Sequence, residues 1–202
     1  PLRDALKIFE NGHGIRVKQN DDLLITYGAT EGISLMAMSL INPGDRVIVE
    51  EPSYVNAIKS FRMYGANVVG VPLQNDGVDL DILENEMRKG AKFFYIIPNF
   101  NNPTGITTSQ KKRKKIYELA VKYGVLLLED NAYGELRYKG DRLPSIKDLD
   151  EEGIVIYIST LSKYVAPAMR IGYMIADANF IYRSAIIKGV TTNGVTNILQ
   201  YA

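Results

Sequence analysis

The sequence contains no cysteine and a single histidine, His13. Without cysteine there is no disulfide framework and no thiol chemistry. One histidine excludes the usual multi-histidine metal cluster, so no metal site is expected. No apolar run approaches the ~20 residues of a membrane-spanning helix, and no secretory signal opens the chain. Neither a GxGxxG turn nor a GxxxxGK[ST] loop is present. Dinucleotide and nucleotide binding thereby lose their main sequence support. Charge is balanced, with 24 Lys and Arg against 23 Asp and Glu, so nothing points to disorder or to a polyelectrolyte partner. These absences predict a cytoplasmic protein with no nucleic-acid and no membrane partner.

What is present fits one domain. A chain of 202 residues can bury roughly 70% of its unfolded surface. It opens at Pro1 with a helical pattern already in progress, and VTNILQYA closes it without a cap. Both ends read as cuts through a longer chain. Leu2, Leu6 and Phe9 recur at helical spacing until Asn11-Gly12. Strands are predicted at 23–27, 46–50, 67–71, 92–98, 125–129, 153–159 and 171–176. Helical runs lie between most of them, such as Ile33, Met36, Ala37 and Leu40, or Ile116, Leu119 and Ala120 behind a Ser109 cap. Several strands are continuous apolar runs, as strands covered on both faces require. The pattern predicts a three-layer α/β/α fold around a mostly parallel seven-stranded sheet.

In such sheets ligands bind beyond the carboxyl ends of the strands. Gly28-Ala29-Thr30, Pro52-Ser53-Tyr54, Asn101-Asn102-Pro103, Asp130 to Tyr133 and Thr160 to Lys163 all fall at such ends. Gly28-Ala29-Thr30 opens a helix whose free amides can take an anion, although most such turns hold only water. Asn102 precedes proline, which removes the α region and fixes its backbone. NNPTG is therefore a rigid turn, or a rigid turn that aims an amide. Asp130 ends an apolar strand, where a partly buried carboxylate needs a cation or an N–H. Helix capping could use Asp130 but leaves Tyr133 without a task; a protonated pyridine nitrogen would satisfy the carboxylate. Lys163 is the candidate nucleophile, its ammonium disfavoured by Arg170 nearby, and the competing role is phosphate binding. Thr160, Ser162 and Arg170 can satisfy phosphate oxygens. The run KKRKK, 111–115, reads as a solvated helix face. Basic charge at a helix N-terminus is mildly unfavourable, so helix stability does not explain it.

PSY, PNFNNPTG, EDNAYGEL and STLSKYVAPAMRIGY follow one another in this order. Together they resemble the fold-type I pyridoxal-phosphate enzymes of the class I/II aminotransferase family, in the branch of 2-aminoadipate and aromatic aminotransferases. Regulators related to that branch fuse the domain to a DNA-binding module. The resemblance implies that residues 1–202 are the large cofactor-binding domain of a chain about twice as long, without its small domain. It implies a Lys163 aldimine of pyridoxal 5'-phosphate, with Lys163 also shuttling the substrate proton. It implies Asp130 on the pyridine nitrogen, Tyr133 and Asn102 on the ring oxygen, and Tyr54 stacked on the ring. Gly28, Ala29, Thr30, Thr160, Ser162 and Arg170 are implied around the phosphate, and Asn102–Pro103 is implied to be cis. Transfer of an amino group from an L-amino acid to a 2-oxo acid, by a homodimer, is the implied activity. β-Lyases, decarboxylases and a cofactor-sensing regulator without turnover use the same constellation. Two departures are visible: EDNAY stands where EDDPY is common, and Tyr27 precedes the phosphate turn where smaller or polar residues are usual.

Overall fold

The structure, a computed structural model, describes residues 1–192; the uncapped end read at 195–202 lies outside them. The strands are β1 (Asp21–Tyr27), β2 (Arg46–Glu51), β3 (Asn67–Gln74), β4 (Gly77–Val78), β5 (Phe93–Ile96), β6 (Leu126–Asp130), β7 (Val155–Thr160) and β8 (Ile171–Asp177). The helices are α1 (Leu2–Gly12), α2 (Ala29–Leu40), α3 (Val55–Met63), α4 (Leu80–Arg88), α5 (Gln110–Tyr123) and α6 (Ala178–Thr191). The eight strands form one sheet in the order β1-β8-β7-β6-β5-β2-β3-β4.

The strands β7, β6, β5, β2 and β3 run parallel to one another. β8 is antiparallel to both β7 and β1. A parallel neighbour needs a crossover of a dozen or more residues, and only the short segment 161–170 joins β7 to β8. The periodicity predicts seven strands where the described residues form eight. The extra one, β4, is two residues long and pairs antiparallel with β3. Two residues are too few to carry an alternating pattern.

Alternation explains how the sheet is covered. Phe93 and Tyr95 of β5 face a core with Leu35, Met36 and Phe61 from α2 and α3. Phe94 and Ile96, the alternate residues, face Leu83, Met87, Ile116 and Leu119 from α4 and α5. Both faces are apolar, so the strand reads as a continuous hydrophobic run. A third cluster packs Leu6 of α1 on Leu23, Tyr157 and Tyr173. Helix starts follow from side-chain caps: Asp79 accepts from the amides of Asp81 and Ile82, Ser109 from Lys112, and Asp177 from Asn179. Gly124 ends α5 in the left-handed region.

The basic run departs from the sequence expectation. Lys111, Lys114 and Lys115 are exposed, but Lys112 and Arg113 are buried. The Lys112 ammonium donates to Gln74 Oε1 and the carbonyls of Gly77 and Val78, and pairs with Asp76. Arg113 stands three and seven residues before Ile116 and Ala120, which places it on the core-facing side of α5. That spacing was a readable signal against a uniformly solvated face.

Candidate active site

A cavity of about 340 Å³ opens beyond the carboxyl ends of the central strands. Ala29, Thr30 and Tyr54 line it from the β1 and β2 side, and Asn102, Asp130 and Tyr133 from β5 and β6. Thr160, Ser162, Lys163 and Arg170 close it from the β7 and β8 side. Gly28 is the cap residue of α2, next to Ala29. Ten of the eleven site residues read from the sequence thus line one cavity, and Gly28 adjoins it in the chain. Ile33, Ile97 and Ala132 complete the lining; as ordinary apolar residues they carry no sequence signal of a site.

One end is built for an anion. Gly28 caps α2 at φ 76°, a conformation open to glycine. The first amides of α2 have no intrahelical acceptor and point outward. Arg170 lies over this turn so closely that a Cβ on Gly28 would sit 2.6 Å from its Nη2. Gly172 is needed for the same approach, since a Cβ there would sit 2.4 Å from the carbonyl carbon of Gly28. The Thr160 hydroxyl donates to the Ile171 carbonyl at 2.9 Å and accepts from the Ser162 amide at 3.2 Å. The hydroxyls of Thr160 and Ser162 are 3.0 Å apart. A guanidinium, two hydroxyls and free amides converge there.

The other end holds a carboxylate with a free oxygen. Asp130 is the last residue of β6 and is 4% exposed. Its Oδ2 accepts from the Tyr95 hydroxyl at 2.7 Å. Its Oδ1 is buried and has no hydrogen-bond partner among the described residues. Burial pushes the Asp130 carboxyl up to about 6, against the pull of Tyr95, the Ala132 amide and the positive charge of Lys163. A buried carboxylate with one unfilled oxygen calls for a cationic N–H.

Between the two ends, Asn102 Nδ2 donates to the Tyr133 hydroxyl at 3.2 Å. Burial raises the Tyr133 phenol above its ordinary range. Asn102–Pro103 is cis, and so is Glu51–Pro52. Tyr54 precedes α3 as its cap residue. Lys163 is exposed, its Nζ 5.8 Å from the Tyr133 ring centre. Arg170 stands 5.6 Å from the Tyr27 ring.

These features are matched by a protein-family model for aminotransferase class I and II over residues 2–202. The chain belongs to the class I and II aminotransferase family. An aromatic-amino-acid aminotransferase of Thermococcus litoralis is 42% identical over 189 residues, covering 89% of this chain and 45% of the relative. An uncharacterized HTH-type transcriptional regulator of Bacillus subtilis is 32% identical over 202 residues, or 42% of its own length. The crystal structure of Pyrococcus horikoshii kynurenine aminotransferase superposes with a TM-score of 0.94 at 38% identity. It covers 99% of this chain and 50% of that one. The chain thus spans about half the length of the relatives it matches.

In this family member a second tier of buried groups supports the site, and the sequence reading did not find it. Glu50, near the end of β2, is 1% exposed. Its Oε2 accepts from the Ile97 amide at 2.8 Å and from Asn101 Nδ2 at 2.7 Å, which ties β2 to the turn carrying Asn102. Burial pushes the Glu50 carboxyl up to about 8, and the charge of Asp130 adds to the rise. Tyr95, Asn99, Asn101 and Arg113 belong to the same tier. The signal for Glu50 was its place at the end of an apolar strand, the argument that applied to Asp130.

Proposed function

We propose that the protein containing this chain is a pyridoxal-phosphate-dependent aminotransferase, moving the amino group of an L-amino acid to a 2-oxo acid. The observation that carries this reading is the buried, unpartnered Oδ1 of Asp130, a residue lining the same cavity as the anion donors Thr160, Ser162 and Arg170. A protonated pyridine nitrogen fits the first and a phosphate the second. Pyridoxal phosphate, when bound, supplies the electron sink for chemistry at the substrate Cα. The chain's residues supply the rest. Asp130 holds the proton on the pyridine nitrogen. Asn102 and Tyr133 donate to the ring oxygen. Tyr54 covers a face of the ring. The α2 amides with Thr160, Ser162 and Arg170 hold the phosphate. Lys163 Nζ is the amine that holds the cofactor carbon, and it moves the substrate Cα proton.

The related P. horikoshii enzyme is described in complex with PMP, with KYN as substrate and KYA as product, which supports transfer over elimination or decarboxylation. Residues 1–202 are proposed to be the large domain, and assembly as a homodimer in the cytoplasm rests on the family resemblance. Among the described residues no helix is long and apolar enough to cross a membrane. The B. subtilis relative supports a second reading, a regulator that senses the cofactor without turnover. Full-length protein saturated with pyridoxal phosphate is mixed with single amino acids, and the products are identified. The expected outcome is loss of the visible cofactor band with one 2-oxo acid formed per site. Release of ammonia or carbon dioxide, or binding with no product, contradicts transfer.

A further inference from the structure

Arg113 is fully buried, and each of its guanidinium nitrogens has an acceptor. Nε donates to the Thr108 carbonyl at 2.9 Å, Nη1 to Pro144 at 2.9 Å, and Nη2 to Pro98 at 2.9 Å and Asn99 Oδ1 at 2.7 Å. Pro98 and Thr108 are the two ends of the excursion that carries Asn102, and the Thr108 amide also donates to the Pro98 carbonyl. One cation therefore pins both feet of that loop.

The bond to Asn99 leads onward. Asn99 Nδ2 donates to Asn131 Oδ1 at 2.7 Å, and Asn131 Nδ2 donates to the Tyr157 hydroxyl at 2.9 Å. The Tyr157 hydroxyl donates to Glu10 Oε1 at 3.2 Å. Every orientation follows from the first. A guanidinium only donates, so Asn99 turns its oxygen to it and its amide to Asn131. Asn131 must then show its oxygen to Asn99 and its amide to Tyr157. The relay runs from a buried cation to a buried carboxyl group with no free choice along it. It passes beside the site: Asn131 is the neighbour of Asp130, and Asn99 lies three residues before Asn102. Asn131 is also one of the two residues, with Ala132, that depart from the common EDDPY pattern.

We propose that Arg113, through Asn99 and Asn131, is a positioning residue that fixes the Asn102 turn against the Asp130–Tyr133 turn. It thereby holds the two ring-oxygen donors and the pyridine carboxylate in one frame. The proposal rests on the cofactor reading above. It gives the buried part of the basic run a task that solubility does not. Lysine cannot replace arginine here, because an ammonium does not present donors along a planar fork to Thr108, Pro144 and Pro98.

The test compares full-length wild type with Arg113→Lys and Asn99→Leu. Hydrogen exchange is measured in the cofactor-free protein, and affinity for pyridoxal phosphate in a titration. The pH midpoint of the bound cofactor's visible band is the third readout. Exchange is expected to rise selectively over 99–105 and 131–134 in both variants. Affinity falls about tenfold, the scale of a lost charged hydrogen bond, and the band midpoint moves upward. Uniformly faster exchange, with affinity and midpoint unchanged, overturns the proposal and leaves Arg113 a purely structural residue. If Arg113→Lys does not fold, Asn99→Leu decides alone, since it leaves the three carbonyl acceptors of Arg113 in place. Wild type that takes up no pyridoxal phosphate overturns the cofactor reading, while selective exchange in the variants still supports the relay.

Discussion

Asp130 and Glu50 are two buried carboxyl groups at the ends of neighbouring parts of the sheet, and their ionisation opposes each other. The Glu50 carboxyl titrates near 4.5 when unfolded and is pushed up to about 8 in the fold. Between those pH values the folded chain keeps a proton that the unfolded chain has lost. Stability therefore declines as pH rises from 4.5 towards 8, and the contribution is complete only below 4.5. Glu50→Gln keeps an acceptor for Ile97 and Asn101 without the charge. Urea unfolding of the cofactor-free protein should give matching curves near pH 4.5. Above pH 8 the variant should be the more stable, by an upper limit of a few kcal/mol. Parallel pH profiles for the two proteins would show that Glu50 ionises freely. Asp130 stood out because it lies in EDNAYGEL, where Tyr133 follows and has no capping task. Glu50 ends an apolar strand in the same way, but no such motif surrounds it and exposed Glu51 follows it. Which of two adjacent carboxylates turns inward is decided by the β2 register and not by residue type.

At the scale of elements, the strands were legible from their apolar runs and the helices from spacing and caps. Direction and closeness were not. The antiparallel β8 follows from a short connection, and its contact with the start of α2 follows from what is missing at Gly172. A Cβ there would meet the backbone of Gly28 at 2.4 Å and of Ala29 at 2.6 Å. Backbone atoms cannot swing aside as a side chain can. Gly172→Ala should cost ~1–3 kcal/mol or more of stability, the range for overpacking, and should weaken binding at the phosphate end. Gly189→Ala in α6 is the control, since a Cβ there meets nothing within 4 Å. It should gain roughly 0.5–1 kcal/mol from helix propensity. Equal urea midpoints for the two variants would contradict the close approach.

Across the whole molecule, the layered fold follows from strands apolar on both faces, and the placement of the site follows from the fold. Segments as far apart as Thr30 and Arg170 meet because β1 ends, and the antiparallel β8 begins, on the side where the parallel strands end. The strand ends read from the sequence, Gly28-Ala29-Thr30 among them, anticipate that meeting. The tier beneath was hidden because its members, Arg113 and Asn99 among them, act by pairing across elements. Pairing is a property of topology and leaves little trace in local pattern. The residues that choose a substrate are a separate matter, since the chain spans about half of its relatives. The central claim is that Lys163 holds the cofactor. Full-length protein is incubated with pyridoxal phosphate, reduced with borohydride, digested and mapped by mass spectrometry. One stoichiometric label is expected, on Lys163, absent from Lys163→Ala. A label spread over surface lysines, or one that persists unchanged in Lys163→Ala, would contradict that claim.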